Sequence, residues 1–178
     1  MIELARTEKS VEGQPGKSAL IVIDVQTYFV NWHTKNLPKR IAGFIKRNEG
    51  KFDFVIFTRF VNKKDSNFVK CLDWRECFDP TQTGIHPELL DLASKNIVFE
   101  KTSYSIFKSK PLKRFLRENG IKRLVLCGID IDACVLASAF EAFDLGYDVK
   151  ILAGLSLSHS GGKLNEAALE IIKKNLQK

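Results

Sequence analysis

The sequence predicts an α/β fold that is doubly wound around a parallel sheet. Short apolar runs alternate along the chain with amphipathic helical patterns. The runs are continuously apolar rather than alternating, which is typical of parallel strands covered on both faces. The intervening helices supply the crossovers that parallel strands require. Because 178 residues is the usual size of one domain, we expect a single domain over residues 1–178.

Five apolar runs are predicted as strands, since each is short, rich in branched or aromatic residues and bounded by polar segments. They are residues 19–23, 54–57, 97–99, 124–126 and 149–152.

Proline and glycine mark the helices between these strands. Pro38 opens one helix that stops at Gly50, Pro87 opens a second, and Pro111 opens a third that stops at Gly120. Two further patterns predict helices at residues 134–145 and 162–176.

One long segment, residues 62–85, shows neither the apolar run of a buried strand nor the spacing of an amphipathic helix. Long irregular segments in compact domains are usually functional or disordered, and Phe68, Trp74 and Phe78 make this one aromatic. We therefore expect it to form a packed lid.

Composition places the chain among ordinary globular proteins, with 44% hydrophobic and 28% charged residues. No apolar stretch approaches the roughly 20 residues that cross a bilayer, and the first 17 residues lack an apolar leader core. We expect a cytoplasmic protein with no membrane partner and with reduced thiols at Cys71, Cys77, Cys127 and Cys134.

The net charge of +7 is concentrated between residues 101 and 123, where eight basic residues face one acid. Such a segment either attracts an anionic partner or forms the solvated face of one helix, and the second interpretation is favoured. No nucleic-acid partner is expected, because the segment lacks a reader motif such as paired aromatic strands.

Three chemically active side chains follow predicted strands. Asp24 follows the first strand, Lys101 the third, and Cys134 enters a helix after the fourth. Ligands of doubly wound sheets bind at the carboxyl ends of strands, so these residues are candidates for one site.

The three residues suit nucleophilic catalysis. A helix N-terminus and a nearby ammonium would lower the pKa of the Cys134 thiol, and the Asp24 carboxylate could accept its proton. Backbone N–H groups before Cys134 could stabilise an oxyanion. Taken singly, each residue also has a structural interpretation: a cysteine packed in a core, an aspartate capping a turn, a solvated lysine.

The order of these motifs resembles the isochorismatase-like cysteine hydrolases, a family that includes nicotinamidases. The matching pieces are ALIVIDVQTYF, FTR and the stretch from EKTSYS through GIDIDACV, within residues 18–152. The resemblance implies a three-layer sandwich with a mainly parallel five- or six-stranded sheet. It also implies a triad of Asp24 as base, Lys101 as cation and Cys134 as nucleophile, acting through an acyl intermediate.

The same resemblance implies a non-proline cis peptide between Ile129 and Asp130. The backbone amides of Asp130 and Cys134 would then form the oxyanion pocket. The family commonly associates, so a homodimer or homotetramer is expected.

The chain departs from the nicotinamidases where those proteins carry Asp-x-His and a further histidine for a metal ion. Here that place reads TRFVNKKDS, and His33, His86 and His159 lack metal-ligand spacing. We therefore predict no zinc, no other cofactor and no nicotinamidase activity.

The predicted pocket combines aromatic walls with two polar groups. An arginine at a strand end can clamp a carboxylate, which favours an acidic small-molecule substrate. Trp74 and Phe107 could equally be lid and core packing. The predicted lining residues are Gln26, Phe29, Arg59, Trp74, Tyr104 and Phe107.

The leading hypothesis is a metal-independent hydrolase of a small amide or related carbon–nitrogen bond. A vinyl-ether hydrolase of the isochorismatase type would keep Asp24 but would not need Cys134. A third hypothesis is a non-catalytic protein that keeps the fold and holds an anionic partner on the basic segment.

Overall fold

Five parallel strands form one sheet in the computed structural model, which describes residues 16–176. Their order across the sheet is β3-β2-β1-β4-β5, and every neighbouring pair is parallel. The predicted doubly wound α/β class is therefore confirmed. The strands are β1 (Lys17–Ile23), β2 (Phe54–Phe60), β3 (Ile97–Lys101), β4 (Ile121–Ile129) and β5 (Asp148–Leu157).

Seven α-helices connect or follow the strands within the described residues. They are α1 (Leu37–Arg47), α2 (Asn67–Leu72), α3 (Pro80–Thr83), α4 (Leu90–Ser94), α5 (Lys110–Glu118), α6 (Leu136–Asp144) and α7 (Gly162–Asn175). The helix predicted at Pro87 starts as a 3-10 turn, Pro87–Leu89, and the one predicted at Cys134 starts as a π-helical turn, Ile131–Val135. In residues 16–176 no helix has the length and apolar character to span a membrane.

The helices cover both faces of the sheet and create two hydrophobic cores. Strand β1 serves both, because Ala19 and Ile21 face one core while Leu20 and Val22 face the other. Residues of α5, α6 and α7 complete the first core, and residues of α1 and α4 complete the second. The result is the expected three-layer sandwich.

The edge strands differ from the prediction that every strand is buried on both faces. In β3 the exposed side chains alternate with covered ones, and Val98 is 41% exposed. An edge strand has only one strand neighbour, and α4 is too short to cover it fully. Full burial holds instead for most of the central strands β1 and β4.

Strands β1 and β4 approach closely at the point where the strand order reverses. Gly128 pairs with Ile23 and has φ of 127°, and a Cβ atom there would lie 2.1 Å from the Ile23 carbonyl oxygen. Only glycine tolerates both the conformation and the contact. This glycine lets the chain ends of β1 and β4 meet, which is where ligands of such sheets bind.

The segment 62–85 is ordered by Asn62, which is buried. Its amide nitrogen donates to the carbonyl oxygens of Trp74 and Glu76, at 3.3 and 3.0 Å. Its side-chain oxygen accepts from the Ser66 hydroxyl at 2.6 Å. The segment therefore folds back over the sheet, with Phe68 and Trp74 packed against the second core.

The basic segment divides between the interior and the surface. Lys101 is buried, whereas the charged residues of α5 and its flanks are exposed or half-buried. The solvated-face interpretation therefore describes the α5 side chains, but Lys101 does not belong to that face.

Candidate active site

The structure brings Asp24, Lys101 and Cys134 together at the carboxyl edge of the sheet. Asp24 directly follows β1, Lys101 is the last residue of β3, and Cys134 lies in the π-helical turn after β4. The Lys101 Nζ atom lies 2.6 Å from Asp24 Oδ2 and 3.3 Å from Cys134 Sγ. One ammonium therefore links the carboxylate to the thiol.

Asp24 is fixed by its backbone and by Thr58 of β2. Its φ of 50° lies in the left-handed region, which non-glycine residues rarely adopt outside turns and functional sites. The Thr58 hydroxyl donates to Asp24 Oδ1 at 2.7 Å. The carboxylate is fully buried, so Oδ2 is held toward Lys101.

Lys101 reaches its partners from the edge strand by extending across β2. Its Nζ lies 5.2 Å from the centroid of the Phe60 ring and also donates to the carbonyl oxygens of Ser103 and Tyr104, at 2.6 and 3.1 Å. Burial lowers the pKa of Lys101, whereas the charges of Asp24 and Cys134 raise it, and the net direction is upward. The ammonium thus stays charged in a buried position.

Cys134 is a protonated thiol in this environment. Burial raises its pKa to about 12, while the Lys101 charge acts in the opposite direction. The sequence-based prediction of a lowered pKa is therefore wrong for the resting protein, because the sequence shows the nearby cation but not the burial. Any nucleophilic role for this sulfur would therefore require a base that accepts the thiol proton.

Cys134 is 8% exposed, and that exposure opens into a pocket of about 350 Å³. The walls contain the Cys134 side chain, several aromatic rings, and polar residues that follow β4 and β5. The lining residues are Phe29, Phe60, Phe68, Leu72, Trp74, Tyr104, Asp130, Asp132, Ala133, Cys134, His159 and Ser160. A wider cavity of about 690 Å³ adjoins it and shares Phe68, Leu72 and Tyr104.

Three of the predicted lining residues lie in this pocket, namely Phe29, Trp74 and Tyr104. The Phe29 and Trp74 rings are stacked with centroids 6.5 Å apart, and Tyr104 contacts Phe68 at 4.8 Å. These rings form a wall that suits a flat, largely apolar substrate.

The other three predicted lining residues lie elsewhere. Gln26 is fully buried. Its side-chain oxygen accepts from the Phe60 N–H, and its side-chain nitrogen donates to the Phe60 carbonyl oxygen. Arg59 is ion-paired with Glu100 of the neighbouring strand β3 and does not line the pocket. Phe107 packs in the first core beside Tyr147, so its structural interpretation was the right one.

The peptide bond between Ile129 and Asp130 is cis, as the resemblance implied. Asp130 and Cys134 both line the pocket. Ile129 is fully buried and is absent from the pocket lining. It acts only as the preceding half of the cis bond.

Sequence reasoning missed two side chains that shape the site. His159 pairs with Asp130, at 2.6 Å between Nδ1 and Oδ2, and both line the pocket. Ser138 is buried and accepts from the Ile106 amide while donating to the Cys134 carbonyl oxygen at 2.6 Å. A histidine just after the last strand was a usable sign, but the predicted strand ended too early to place it.

A family model described as Isochorismatase domain matches residues 18–177, which is most of the chain. The chain belongs to the isochorismatase family of hydrolases. The family resemblance read from the sequence is thereby confirmed, and the site described above is that of an isochorismatase-family protein.

Curated relatives of this isochorismatase-family chain share about 30% of the aligned residues. Isochorismatase family protein 1B of Dictyostelium discoideum is 29% identical over 144 residues, covering 78% of this chain and 62% of that protein. Isochorismatase domain-containing protein 2 of Xenopus laevis is 30% identical over 78 residues, covering 43% of this chain and 38% of the relative. The matches therefore span less than two thirds of these relatives' lengths.

Solved structures of the same fold include two with amidase names. The nicotinamidase from Staphylococcus aureus has a TM-score of 0.66 and 28% identity, covering 90% of this chain and 94% of that one. N-carbamoylsarcosine amidase from Thermoplasma acidophilum has a TM-score of 0.73 and 21% identity, covering 88% and 93%. These likenesses support the shared fold.

One further neighbour, the pyrazinamidase of Pyrococcus horikoshii, was solved in complex with zinc. In the isochorismatase-family chain described here, β2 ends with the aromatic ring of Phe60. The segment after it offers a fully engaged amide at Asn62, a single carboxylate at Asp65 and a helix-capping hydroxyl at Ser66. Zinc in proteins prefers thiolate, imidazole and carboxylate ligands. Residues 16–176 contain no group of three or more such side chains placed to hold a metal ion. This donor set does not fit zinc.

Proposed function

We propose that the protein is a metal-independent cysteine hydrolase that cleaves a small amide or related carbon–nitrogen bond. The observation that carries the proposal is the linked arrangement of Asp24, Lys101 and Cys134, in which Cys134 lines a pocket and the other two are buried behind it. Four unpaired cysteines support a cytoplasmic location as part of the same proposal.

The first half-reaction begins with proton transfer. Asp24 accepts the thiol proton as Cys134 Sγ attacks the amide carbonyl carbon, which forms the S–C bond and a tetrahedral oxyanion. Because the resting thiol is protonated, the transfer accompanies attack rather than preceding it. The proposed donors to that oxyanion are the backbone amides of Asp130 and Cys134, two residues that line the pocket.

The second half-reaction returns the protein to its starting state. The protonated Asp24 gives its proton to the leaving nitrogen, the C–N bond breaks, and ammonia or an amine departs from a thioester on Cys134. Asp24 then accepts a proton from water, whose oxygen attacks the thioester. The C–S bond breaks, the Cys134 sulfur takes the proton back from Asp24, and the carboxylic acid product is released.

Lys101 is proposed to hold this proton relay in place. Its ammonium contacts Asp24, Cys134 and two backbone carbonyl oxygens, so all of its N–H donors are occupied. The charge stabilises the thiolate as it forms and the thioester's leaving sulfur later. Substrate recognition must then come from other residues of the pocket.

A screen of small primary amides tests the proposal. Ammonia release would be measured with wild type and with the Cys134→Ala and Cys134→Ser variants. The removal of the nucleophile should lower turnover of any accepted amide by more than about a thousandfold. Thermal unfolding of each variant would show that the fold persists.

The Cys71→Ala variant is the matched control, because Cys71 is an exposed thiol on α2. It should keep wild-type turnover. Turnover by Cys134→Ala within tenfold of wild type would overturn the proposed nucleophile. A small vinyl ether that is hydrolysed by wild type and by Cys134→Ala, but not by Asp24→Asn, would instead favour the vinyl-ether mechanism.

A further inference from the structure

His159 follows β5 and stands in the pocket wall near Cys134. Two hydrogen bonds attach it to Asp130: its backbone amide donates to Oδ1 at 2.7 Å, and its Nδ1 lies 2.6 Å from Oδ2. The ring also contacts Phe29 edge-on with centroids 5.5 Å apart. The position and tilt of the imidazole are therefore fixed from three sides.

The second ring nitrogen of His159, Nε2, is left for a ligand. No hydrogen bond to Nε2 occurs within residues 16–176, and this atom is not among the buried polar atoms that lack a partner. The side chain is 31% exposed. An unpartnered, accessible ring nitrogen thus lies on a side chain that lines the pocket.

The other side chains near the pocket that could donate an N–H to a substrate already have partners. Lys101 is surrounded by four acceptors, and Arg59 pairs with Glu100 outside the pocket. Trp74 donates its indole N–H to the Tyr28 hydroxyl at 3.3 Å. Among the described lining residues, His159 alone can present a positively charged N–H to a substrate.

The charges around His159 indicate what it would bind. The hydrogen bond to Asp130 raises the pKa of His159, burial lowers it, and the charges of Asp130 and Asp132 raise it further. The groups that face the ring are these two carboxylates, together with Tyr28 and the aromatic wall. Two carboxylates against one imidazolium disfavour an anionic substrate group, whereas an uncharged oxygen still accepts the hydrogen bond.

We propose that His159 is a specificity-determining residue, which donates Nε2–H to an uncharged oxygen, carbonyl or hydroxyl, on the acyl part of the substrate amide. Asp130 is its positioning residue. This inference rests on the proposed amide hydrolysis and names its substrate class: small amides with a second, neutral oxygen acceptor. It replaces the acidic substrate predicted from Arg59, which lies outside the pocket.

Three amides of nearly equal size separate the possibilities. Butyramide has no second acceptor, acetoacetamide has a neutral carbonyl oxygen, and malonamate has a carboxylate. Wild type should hydrolyse acetoacetamide with kcat/KM at least about tenfold above both others, which corresponds to about 1.4 kcal/mol. The His159→Phe variant keeps the aromatic packing and should treat acetoacetamide and butyramide alike.

Asp130→Asn tests the positioning residue through a readout that does not depend on turnover. NMR titration of the histidine ring protons should show the His159 pKa falling in this variant, while the His86 resonances stay unchanged as an internal reference. The His159 ring keeps its Nδ1 proton against Asp130 Oδ2, so Nε2 carries a proton only in the charged imidazolium form. The preference for acetoacetamide should therefore fade as pH rises through the His159 pKa. In Asp130→Asn the preference should fade at a lower pH.

Equal kcat/KM for acetoacetamide and butyramide in wild type would overturn the inference, as would a preference for malonamate or an unchanged preference in His159→Phe. If wild type hydrolyses none of the three, the proposed function fails for them, and binding to Cys134→Ala decides the inference separately. A shift of the His159 ring resonance by acetoacetamide but not butyramide would support it. Equal effects of both compounds would reject it.

Discussion

Replacing Lys101 by methionine should destabilise the protein strongly, because it removes the ammonium that pairs with the fully buried Asp24 carboxylate. Asp24 and Lys101 have side-chain exposures of 0% and 1% and lie 2.6 Å apart. Methionine keeps most of the side-chain volume, so the change isolates the charge and its hydrogen bonds. Asp24 would then have to remain ionised without its cation or take up a proton.

The expected magnitude follows from that burial. Removing one partner of a buried ion pair costs about 3 to 5 kcal/mol, because an uncompensated charge remains in the interior. For a chain of this size each kcal/mol lowers Tm by about 2 to 4 °C, so the Lys101→Met variant should melt roughly 10 °C lower. The carbonyl oxygens of Ser103 and Tyr104 also lose a donor, which adds to the loss.

Urea unfolding followed by circular dichroism measures the effect, with the Asp24→Asn and Lys101→Met double variant as control. The double variant removes both charges, so it should be more stable than Lys101→Met alone by at least about 1 kcal/mol. A Lys101→Met variant within about 0.5 kcal/mol of wild type would refute the reasoning. So would a double variant less stable than the single one.

Two further predictions concern buried polar groups. Gln26→Ala should cost about 2 to 4 kcal/mol in urea unfolding, because the backbone groups of Phe60 and the Thr83 carbonyl oxygen lose their partner, and a cost below about 1 kcal/mol would contradict a structural role for Gln26. Stability should also fall between pH 9 and 11, because unfolded thiols ionise above about 8.5 whereas burial raises the pKa of Cys127 and Cys134 to about 12. Over this pH range the unfolded state binds fewer protons than the folded state, so the free energy of unfolding falls as pH rises. The fall should be less steep in Cys134→Ala than in wild type, by about 1 kcal/mol per pH unit, and equal slopes would contradict this.

The meeting of Asp24, Lys101 and Cys134 could be predicted because a topological rule places them at one edge of the sheet. Parallel strands end at one edge, and Asp24, Lys101 and Cys134 each stand at or just beyond such an end. Lys101 lies two strands away from Asp24, but a lysine side chain is long enough to pass over β2 and reach it. Residue type and strand position therefore carried most of the information about the centre of the site.

Arg59 and Gln26 show what strand position alone leaves open. Arg59 pairs with Glu100 because the two are opposite each other in the register of β2 and β3, and the sequence does not reveal that register. Gln26 turns inward to satisfy backbone groups of β2 and of α3. Both contacts join segments that are more than 30 residues apart, beyond the reach of local patterns.

His159 was missed because β5 continues further than its apolar residues indicate. The predicted strand stopped at residue 152, whereas β5 runs to Leu157. Ala153 and Gly154 are small and exposed, and the pairing with β4 shifts register between Ile151 and Ser156, so the apolar run is interrupted before the strand ends. That extension carries His159 to the pocket and to Asp130, 29 residues earlier in the chain.

The central claim is that Cys134 carries the acyl group during turnover. The most direct measurement is peptide mass spectrometry of wild-type protein quenched in acid while it hydrolyses an amide found in the screen. The account predicts the acyl mass on the peptide that contains Cys134, and no acyl mass there in Cys134→Ala. An acyl group on another residue, or undiminished turnover by Cys134→Ala, would contradict it.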